Sequence, residues 1–251
     1  MSTEIVRFAG SGGTQLSGRL EKPAGDPQAC ALFAHCFTCG KDLKAAVRIS
    51  QELARRDIAV LRFDFTGLGE SSGDFADTNF SSNLEDILAA ADFLRLRGQA
   101  PSFLIGHSLG GTAVLAAAGR LPEVKAVASL AAPADTQHLA ASIESLAPGL
   151  QERGEAEISL AGKTLRVRKQ LLDDLNAHQM TEHLRDLNRP LMIMHSPNDQ
   201  VVSIDHARRL YQAARHPKSF VALDQADHLL SDPADAQFVA AILATWTHRY
   251  I

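Results

Sequence analysis

The sequence lacks most of the features that would suit a secreted, membrane-spanning or nucleic-acid-binding protein. Its 251 residues include only three cysteines, too few for a disulfide framework, and the N-terminal MSTEIVRF has no signal-peptide pattern. No apolar run approaches the roughly 18 residues of a membrane span. The net charge of −4 at pH 7 leaves no excess of basic residues for nucleic acid or an anionic membrane. We therefore expect a soluble, cytoplasmic protein in a reducing compartment, without nucleic-acid or membrane partners.

The sequence does contain a regular alternation of strand-like and helix-like segments. EIVRFA and TQLSGRLEKP, joined by GSGG, predict an antiparallel hairpin at the start. Continuous apolar runs, typical of strands buried on both faces, follow at 30–36, 58–64, 102–107, 124–131, 190–195 and 219–224. Helical spacing is found at 43–56, 81–97 and 206–215. This pattern predicts an α/β fold, a three-layer sandwich around a mostly parallel sheet, with its ligand site beyond the carboxyl ends of the strands.

Residues 133–188 interrupt the alternation. AEISL and KTLRVR around the turn AGK predict a small hairpin, and QLLDDLNAHQMTEHLRDL predicts an amphipathic helix. We expect one domain over residues 1–251, with 133–188 as a small cap over the strand ends; ordinary peripheral helices are the alternative. Arg166, Arg168 and Lys169 in this insertion are interpreted as a solvated surface or as a site for an anionic substrate.

A serine between glycines stands where strand-like sequence changes to helix-like sequence. Gly106-His107-Ser108-Leu109-Gly110 fits G-x-S-x-G, with SFLIGH before it and GTAVLAAAGRL after it. In this setting the motif forms a strained turn that holds a nucleophilic hydroxyl clear of the sheet. The flanking glycines remove the clashes that side chains would cause there. A serine that merely caps the following helix is the alternative.

With this motif in place, the chain resembles the α/β-hydrolase superfamily along nearly its whole length. The family orders its catalytic groups Ser…Asp…His. The resemblance therefore implies Ser108 as nucleophile, Asp199 of SPNDQVV as acid and His228 of QADHLL as base. Asp224 and Asp227, which flank the histidine, remain alternative acids.

The resemblance also implies where the oxyanion would be bound. Its donors would be the backbone N–H of Leu109 and that of Phe37 in AHCFTCGKD, where Cys36 stands at the position of the family's glycine. His35, Cys36 and His107 are the candidates for lining the substrate pocket.

Cys36 and Cys39 form a C-x-x-C pair. Structural zinc would need two further ligands, so we expect no metal. A redox pair whose oxidation distorts Phe37 is one hypothesis, and two small buried residues are the other. The glycines of the segment 64–71 resemble the family's structural D-x-x-G-x-G-x-S turn, so we expect no nucleotide and no other cofactor.

The sequence as a whole predicts a serine hydrolase that cleaves small or medium carboxylic esters through an acyl-enzyme. An aminopeptidase-like amidase, which would need an acidic anchor for an amine, and a low-turnover ligand receptor are the alternatives. HCFTCGKDLKAA, LRFDFTGLGESSGDF and NFSSN also resemble the hydrolase half of proteins that join such a domain to an OsmC-like, peroxide-detoxifying domain. That resemblance implies a functional association with an OsmC-like domain, and it leaves open whether the chain stands alone or is part of such a fusion.

Overall fold

The computed structural model describes residues 1–160 and 162–251. Its strands are β1 (Ser2–Ala9), β2 (Gln15–Lys22), β3 (Ala29–Ala34), β4 (Ile58–Phe63), β5 (Phe103–His107), β6 (Ala126–Leu130), β7 (Glu155–Leu160), β8 (Lys163–Arg168), β9 (Leu191–His195) and β10 (Lys218–Ala222). Eight of these form one sheet in the order β1-β2-β4-β3-β5-β6-β9-β10, and β7 pairs with β8 in a separate hairpin. The β1–β2 and β2–β4 pairs are antiparallel, and the remaining pairs of the large sheet are parallel.

The helices are α1 (Lys44–Ala54), α2 (Phe80–Leu96), α3 (Leu109–Ala117), α4 (Gln137–Leu146), α5 (Leu150–Arg153), α6 (Lys169–Ala177), α7 (Met180–Asp186), α8 (Asp205–Ala213) and α9 (Pro233–Thr247). Among the residues that the structure describes, none of the helices has the length and apolar character needed to cross a bilayer. Short 3₁₀ turns at Ser11–Gly13, Phe75–Asp77 and Ala118–Arg120 complete the regular structure.

The sheet lies between two hydrophobic layers. Along β3, Leu32 belongs to the core that contains α2, α3 and α8, whereas Phe33 belongs to the core that contains α1 and α9. Leu104 and Ile105 divide in the same way along β5. Successive side chains of a strand point to opposite faces, so both must be apolar when helices cover both faces. The predicted three-layer α/β architecture with an antiparallel N-terminal hairpin is confirmed.

The segment between β6 and β9 contains the predicted hairpin as β7 and β8, although the predicted turn includes Ala161, which lies outside the described residues. The single helix predicted over 170–187 is wrong. His178 has an extended backbone, with φ −76° and ψ 128°, and Gln179 is also non-helical, with φ −103° and ψ 78°, so these two residues separate α6 from α7. The buried apolar residues of α6 and of α7 each have helical spacing, but the step from Leu175 to Met180 is longer than the three or four residues of a helical repeat and coincides with the break.

The basic residues of the segment between β6 and β9 do not form a free cationic surface. Arg166, Arg168 and Lys169 all pair with carboxylates. Their partners are Asp74, Asp77 and Asp173, respectively. The two arginine pairs join β8 to the 3₁₀ turn Phe75–Asp77 and its flank, so these side chains connect the hairpin to the rest of the fold rather than offering an anion site.

Candidate active site

The turn between β5 and α3 has the strained geometry that its sequence predicts. Ser108 has φ 54° and ψ −125°, in a region that costs non-glycine residues about 1–3 kcal/mol. A Cβ at Gly106 would lie 2.2 Å from the carbonyl oxygen of Gly110, and one at Gly110 would lie 2.4 Å from the carbonyl oxygens of Ala34 and His35. The glycines therefore let the turn close against the end of β3. The Ser108 side chain makes no capping bond to α3, so the helix-cap interpretation is wrong.

Three side chains from distant parts of the chain meet at this turn. His228 lies in the loop after β10, and its Nδ1 is 2.8 Å from Oδ2 of Asp199, in the loop after β9. Its Nε2 is 3.1 Å from Oγ of Ser108. Because a carboxylate only accepts hydrogen bonds, Nδ1 carries the hydrogen, and Nε2 is then free to accept the hydroxyl proton. The carboxyl ends of β5, β9 and β10, of which β5 is separated from β9 by β6, thus bring together a hydroxyl, a carboxylate and an imidazole.

The carboxylate of Asp199 is held in its ionised form. Burial by itself raises its pKa, but the hydrogen bonds from His228 and from the backbone N–H groups of Val202 and Val201 outweigh that effect and lower the pKa below its ordinary value. A charged acceptor fixes the imidazole in one tautomer and stabilises the imidazolium that forms when it takes a proton.

The two other acids considered from the sequence are placed differently. Asp224 and Asp227 are both exposed. The Asp227 carboxylate accepts a hydrogen bond from the N–H of Ser231 at 2.8 Å, within its own loop. Among the described contacts, the carboxylate that hydrogen-bonds to the His228 ring is that of Asp199.

Two buried histidines support the loops that carry these groups. His107 donates from Nε2 to the carbonyl oxygen of His228 at 2.7 Å. His195, the last residue of β9, donates from Nε2 to the carbonyl oxygen of Val202 at 2.8 Å and lies 3.5 Å from Oδ2 of Asp199. Burial lowers the pKa of His107 to about 4 and also lowers that of His195, so both are neutral donors near pH 7.

Ser108 and His228 open onto a cavity of about 710 Å³. Its wall is largely apolar and includes Phe37, Leu43, Leu139, Ile143, Val202 and Leu229. Helix α4, from the segment 133–188, contributes Leu139 and Ile143 to this wall.

Of the three candidates for lining the pocket, only Cys36 belongs to the cavity wall. His35 and His107 do not line it; both are almost fully buried. His35 donates from Nδ1 to the Cys36 carbonyl at 2.8 Å and accepts from the N–H of Phe65 at Nε2. These two histidines support loops instead of contacting a ligand, because the strand ends that carry them are covered by the neighbouring loops.

Two backbone N–H groups at the cavity wall have no hydrogen-bond acceptor in the described part of the chain. Phe37 and Leu109 line the cavity beside Ser108, and their N–H groups donate to no acceptor among the residues that the structure describes. Leu109 is the first residue of α3, where backbone N–H groups have no intrahelical acceptor. Both therefore remain the predicted donors of an oxyanion hole.

The loop between β3 and α1, residues 35–43 (the β3–α1 loop), is closed by a disulfide. Cys36 and Cys39 are bonded, with their Cα atoms 5.2 Å apart, and Cys30 is the free, buried cysteine. The interpretation of the pair as two small buried residues is therefore wrong. The hypothesis that oxidation distorts Phe37 stays a prediction, because the contact between Ser108 and His228 does not report on the position of Phe37.

One end of the cavity is charged, a feature that local sequence patterns did not indicate. Lys41 is buried, and its Nζ lies 2.7 Å from the Asp64 carboxylate and 2.8 Å from that of Glu70. Burial lowers the pKa of Lys41, but these carboxylates and Asp42 more than compensate, so the ammonium stays charged. Lys41 meets Asp64 only through the pairing of β3 with β4. Among the described residues, no group of three or more His, Cys, Asp or Glu side chains is arranged to hold a metal ion.

Comparison with known proteins agrees with this geometry. The sequence model of the Alpha/beta hydrolase family matches residues 31–242. The crystal structure of the esterase domain of a Rhodothermus marinus protein is 49% identical, with coverage of 100% of this chain and 99% of that one and a TM-score of 0.82. Est1E of Butyrivibrio proteoclasticus, solved with ferulic acid bound, covers 98% of each chain at a TM-score of 0.82, and its 19% identity indicates the fold alone. The mitochondrial palmitoyl-protein thioesterase ABHD10 of Rattus norvegicus is 26% identical over 212 residues, 81% of this chain and 70% of its own length.

Proposed function

Because the chain belongs to the alpha/beta hydrolase family, we propose that it is a serine carboxylesterase that cleaves small or medium acyl esters through an acyl-enzyme. The observation that carries this proposal is the hydrogen-bonded series from Ser108 through His228 to Asp199 at the wall of an apolar cavity. The likeness to the Rhodothermus marinus esterase domain supports an ester as the substrate.

In the first half of the reaction Ser108 Oγ attacks the ester carbonyl carbon. His228 Nε2 accepts the hydroxyl proton, and the charge on Asp199 stabilises the resulting imidazolium. The tetrahedral intermediate then collapses, the bond to the alcohol oxygen breaks, and His228 gives its proton to the departing alcohol. Ser108 is left as an ester of the acyl group.

In the second half water replaces the alcohol. His228 takes a proton from water as the water oxygen attacks the acyl carbon. It then returns a proton to Ser108 Oγ as the carboxylic acid product leaves. In both halves the negative oxygen would be bound by the N–H groups of Phe37 and Leu109. Removal of one such donor typically costs 10²–10³ in rate.

The charged end of the cavity argues against an amine anchor. Asp42 and Glu70 line it, but both already pair with the Lys41 ammonium, at 3.4 and 2.8 Å, and Asp42 also lies 3.4 Å from Arg62. A substrate ammonium would have to compete with cations already in place. This favours the esterase over the amidase, while the apolar remainder of the wall suits an acyl chain.

The proposal is tested with p-nitrophenyl esters of increasing acyl length. We expect steady turnover of the acetate and butyrate, and a loss of about 10⁴-fold or more in kcat for Ser108→Ala. Ser142→Ala, which alters another serine of the cavity wall, should retain activity.

A serine-directed fluorophosphonate separates an esterase from a receptor. It should label the wild type and not Ser108→Ala. Labelling without turnover of any ester would indicate the receptor instead, and turnover that survives in Ser108→Ala would overturn the proposal.

A further inference from the structure

The β3–α1 loop contains a covalent link close to a proposed oxyanion donor. The disulfide joins Cys36 to Cys39 and closes a ring around Phe37 and Thr38. Within this ring, the N–H of Cys39 donates to the carbonyl oxygen of Cys36 at 3.1 Å. The bond therefore restrains the segment that presents the N–H of Phe37.

The same segment has an unfavourable backbone and few other restraints. Thr38 has φ 64°, a left-handed conformation that a residue with a branched Cβ seldom adopts. Its carbonyl oxygen accepts a bond from Nζ of Lys163, an exposed side chain on the β7–β8 hairpin, at 2.8 Å. The Phe37 ring packs against Phe75 with centroids 5.6 Å apart. His35 Nδ1 also bonds to the Cys36 carbonyl at 2.8 Å. These contacts are all non-covalent, and they restrain the backbone less than a covalent ring does.

The disulfide is reachable from the cavity. Cys36 and Cys39 both belong to the cavity wall, and Cys39 is the more exposed of the two. A small thiol that enters the substrate cavity therefore comes into contact with the two residues that form the disulfide. The third cysteine, Cys30, does not compete for the disulfide as an attacking thiol. It is buried, and burial raises its pKa to about 12, which keeps it an unreactive thiol.

We propose that Cys36–Cys39 is a thiol–disulfide exchange site for a dithiol reductant, and that opening it lowers ester turnover by releasing the N–H of Phe37 from its position at the cavity wall. The effect on turnover rests on the proposed function. The exchange itself does not.

The exchange balances without any group other than the dithiol. One thiolate of the dithiol attacks Sγ of Cys39, the protein S–S bond breaks, and Cys36 leaves as a thiolate that takes a proton. The second thiol of the reductant then attacks the mixed disulfide and releases Cys39. The protein gains two electrons and two protons, and the reductant becomes a disulfide.

The experiment uses dithiothreitol as reductant and oxidised glutathione as oxidant on the full chain. With the thiols counted after unfolding in denaturant, so that the buried Cys30 also reacts, we expect one thiol per chain after oxidation and three after reduction. Reduction should lower kcat for p-nitrophenyl butyrate about tenfold to a hundredfold, toward the effect of losing an oxyanion donor, with a smaller change in KM. Reoxidation should restore it.

Matched variants separate this site from a general effect of the reductant. The double variant Cys36→Ser/Cys39→Ser should have the kcat of the reduced wild type, and dithiothreitol should not change it. Cys39→Ser serves as a second variant if the double one does not fold, with the same expected result. Cys30→Ser should respond like the wild type. The proposal is overturned if the thiol count rises from one to three with kcat unchanged, if the count never falls to one, or if the double variant is as active as the oxidised wild type.

The substrate-free arm keeps the two proposals distinguishable. Amide hydrogen exchange in residues 36–39 should become faster after reduction, whether or not any ester is hydrolysed. Absence of hydrolysis in both redox states contradicts the esterase proposal. Unchanged amide hydrogen exchange in residues 36–39 contradicts the proposal that opening the disulfide releases this segment.

Discussion

Single residues decide how closely the β5–α3 turn approaches the β3–α1 loop. Gly110 is the critical contact, because its missing Cβ would lie 2.4 Å from two backbone carbonyl oxygens at the end of β3. Backbone cannot move aside as the end of a long side chain can, so any larger residue must displace the loop that carries the proposed oxyanion donor Phe37.

Gly110→Ala should therefore reduce both stability and activity. We expect a loss of more than about 2 kcal/mol in the free energy of unfolding, in the range of core overpacking, and a fall in kcat. Gly119→Ala is the matched control, since nothing lies within 4 Å of its Cβ position, and it should be neutral or slightly stabilising. Urea unfolding measures the stability of the two variants, and ester kinetics measure their kcat. Equal effects of the two substitutions would show that the close approach of Gly110 to the end of β3 is unimportant.

A single aspartate, Asp199, is expected to act as the acid that orients His228. Asp199→Asn should lower kcat by about 10⁴, because the amide cannot hold His228 in the required tautomer. Asp227→Asn, next to His228 in sequence but bonded to Ser231, should leave kcat within a few-fold of the wild type. The reverse ranking would move the acid from the loop after β9 to the loop after β10.

At the scale of elements, the segment 133–188 is joined to the α/β core through the start of α2. The N–H of Ser82 is capped within the helix by Asn79, whereas the N–H and hydroxyl of Ser81 both donate to Asp174 of α6, at 2.8 and 2.6 Å. Part of the N-terminus of α2 is thus satisfied by a carboxylate from the segment that also supplies α4 to the cavity wall.

Asp174→Ala should cost about 1–2 kcal/mol in the free energy of unfolding, the usual effect of losing a helix cap. Asp173→Ala, its neighbour on α6, loses only an exposed i,i+4 pair with Lys169 and should cost less than about 0.5 kcal/mol. Thermal or urea unfolding of the two variants makes the comparison. A negligible effect of Asp174→Ala would mean that α6 does not depend on this contact.

At the scale of the whole molecule, buried histidines make the fold sensitive to acid. Burial lowers the pKa of His35 and His107 from the ordinary 6.5 to about 4, so between these values the unfolded chain binds protons that the folded chain does not. Stability should then fall as pH drops from about 6.5 to 4. Asp86 opposes this, because burial raises its pKa from 3.8 to about 6, but one carboxyl does not offset two histidines.

We therefore expect the free energy of unfolding in urea to decrease by a few kcal/mol between pH 7 and pH 4.5. His107→Gln, which keeps an N–H donor but does not titrate, should show a shallower decrease than the wild type. Identical pH profiles would show that this histidine does not contribute to acid sensitivity.

The alternating strands and helices, the antiparallel start and the turn around Ser108 could all be predicted from the sequence. Each depends on spacing over a few residues, and that spacing reflects burial on one or two faces. The order of Ser108, Asp199 and His228 could be proposed as well, since it came with the family resemblance, although their contacts could not be derived from spacing.

Only the tertiary structure decided the features that depend on distances between remote segments. It bonded Cys36 to Cys39, buried His35 and His107 away from the cavity wall, and placed the Lys41 ammonium against the Asp64 carboxylate at the charged end of the cavity. Local spacing carries no information on these, because a residue's burial and partner are set by whichever segment packs against it. The sequence by itself determined the framework and the nucleophile's turn; packing of distant segments determined what surrounds that turn.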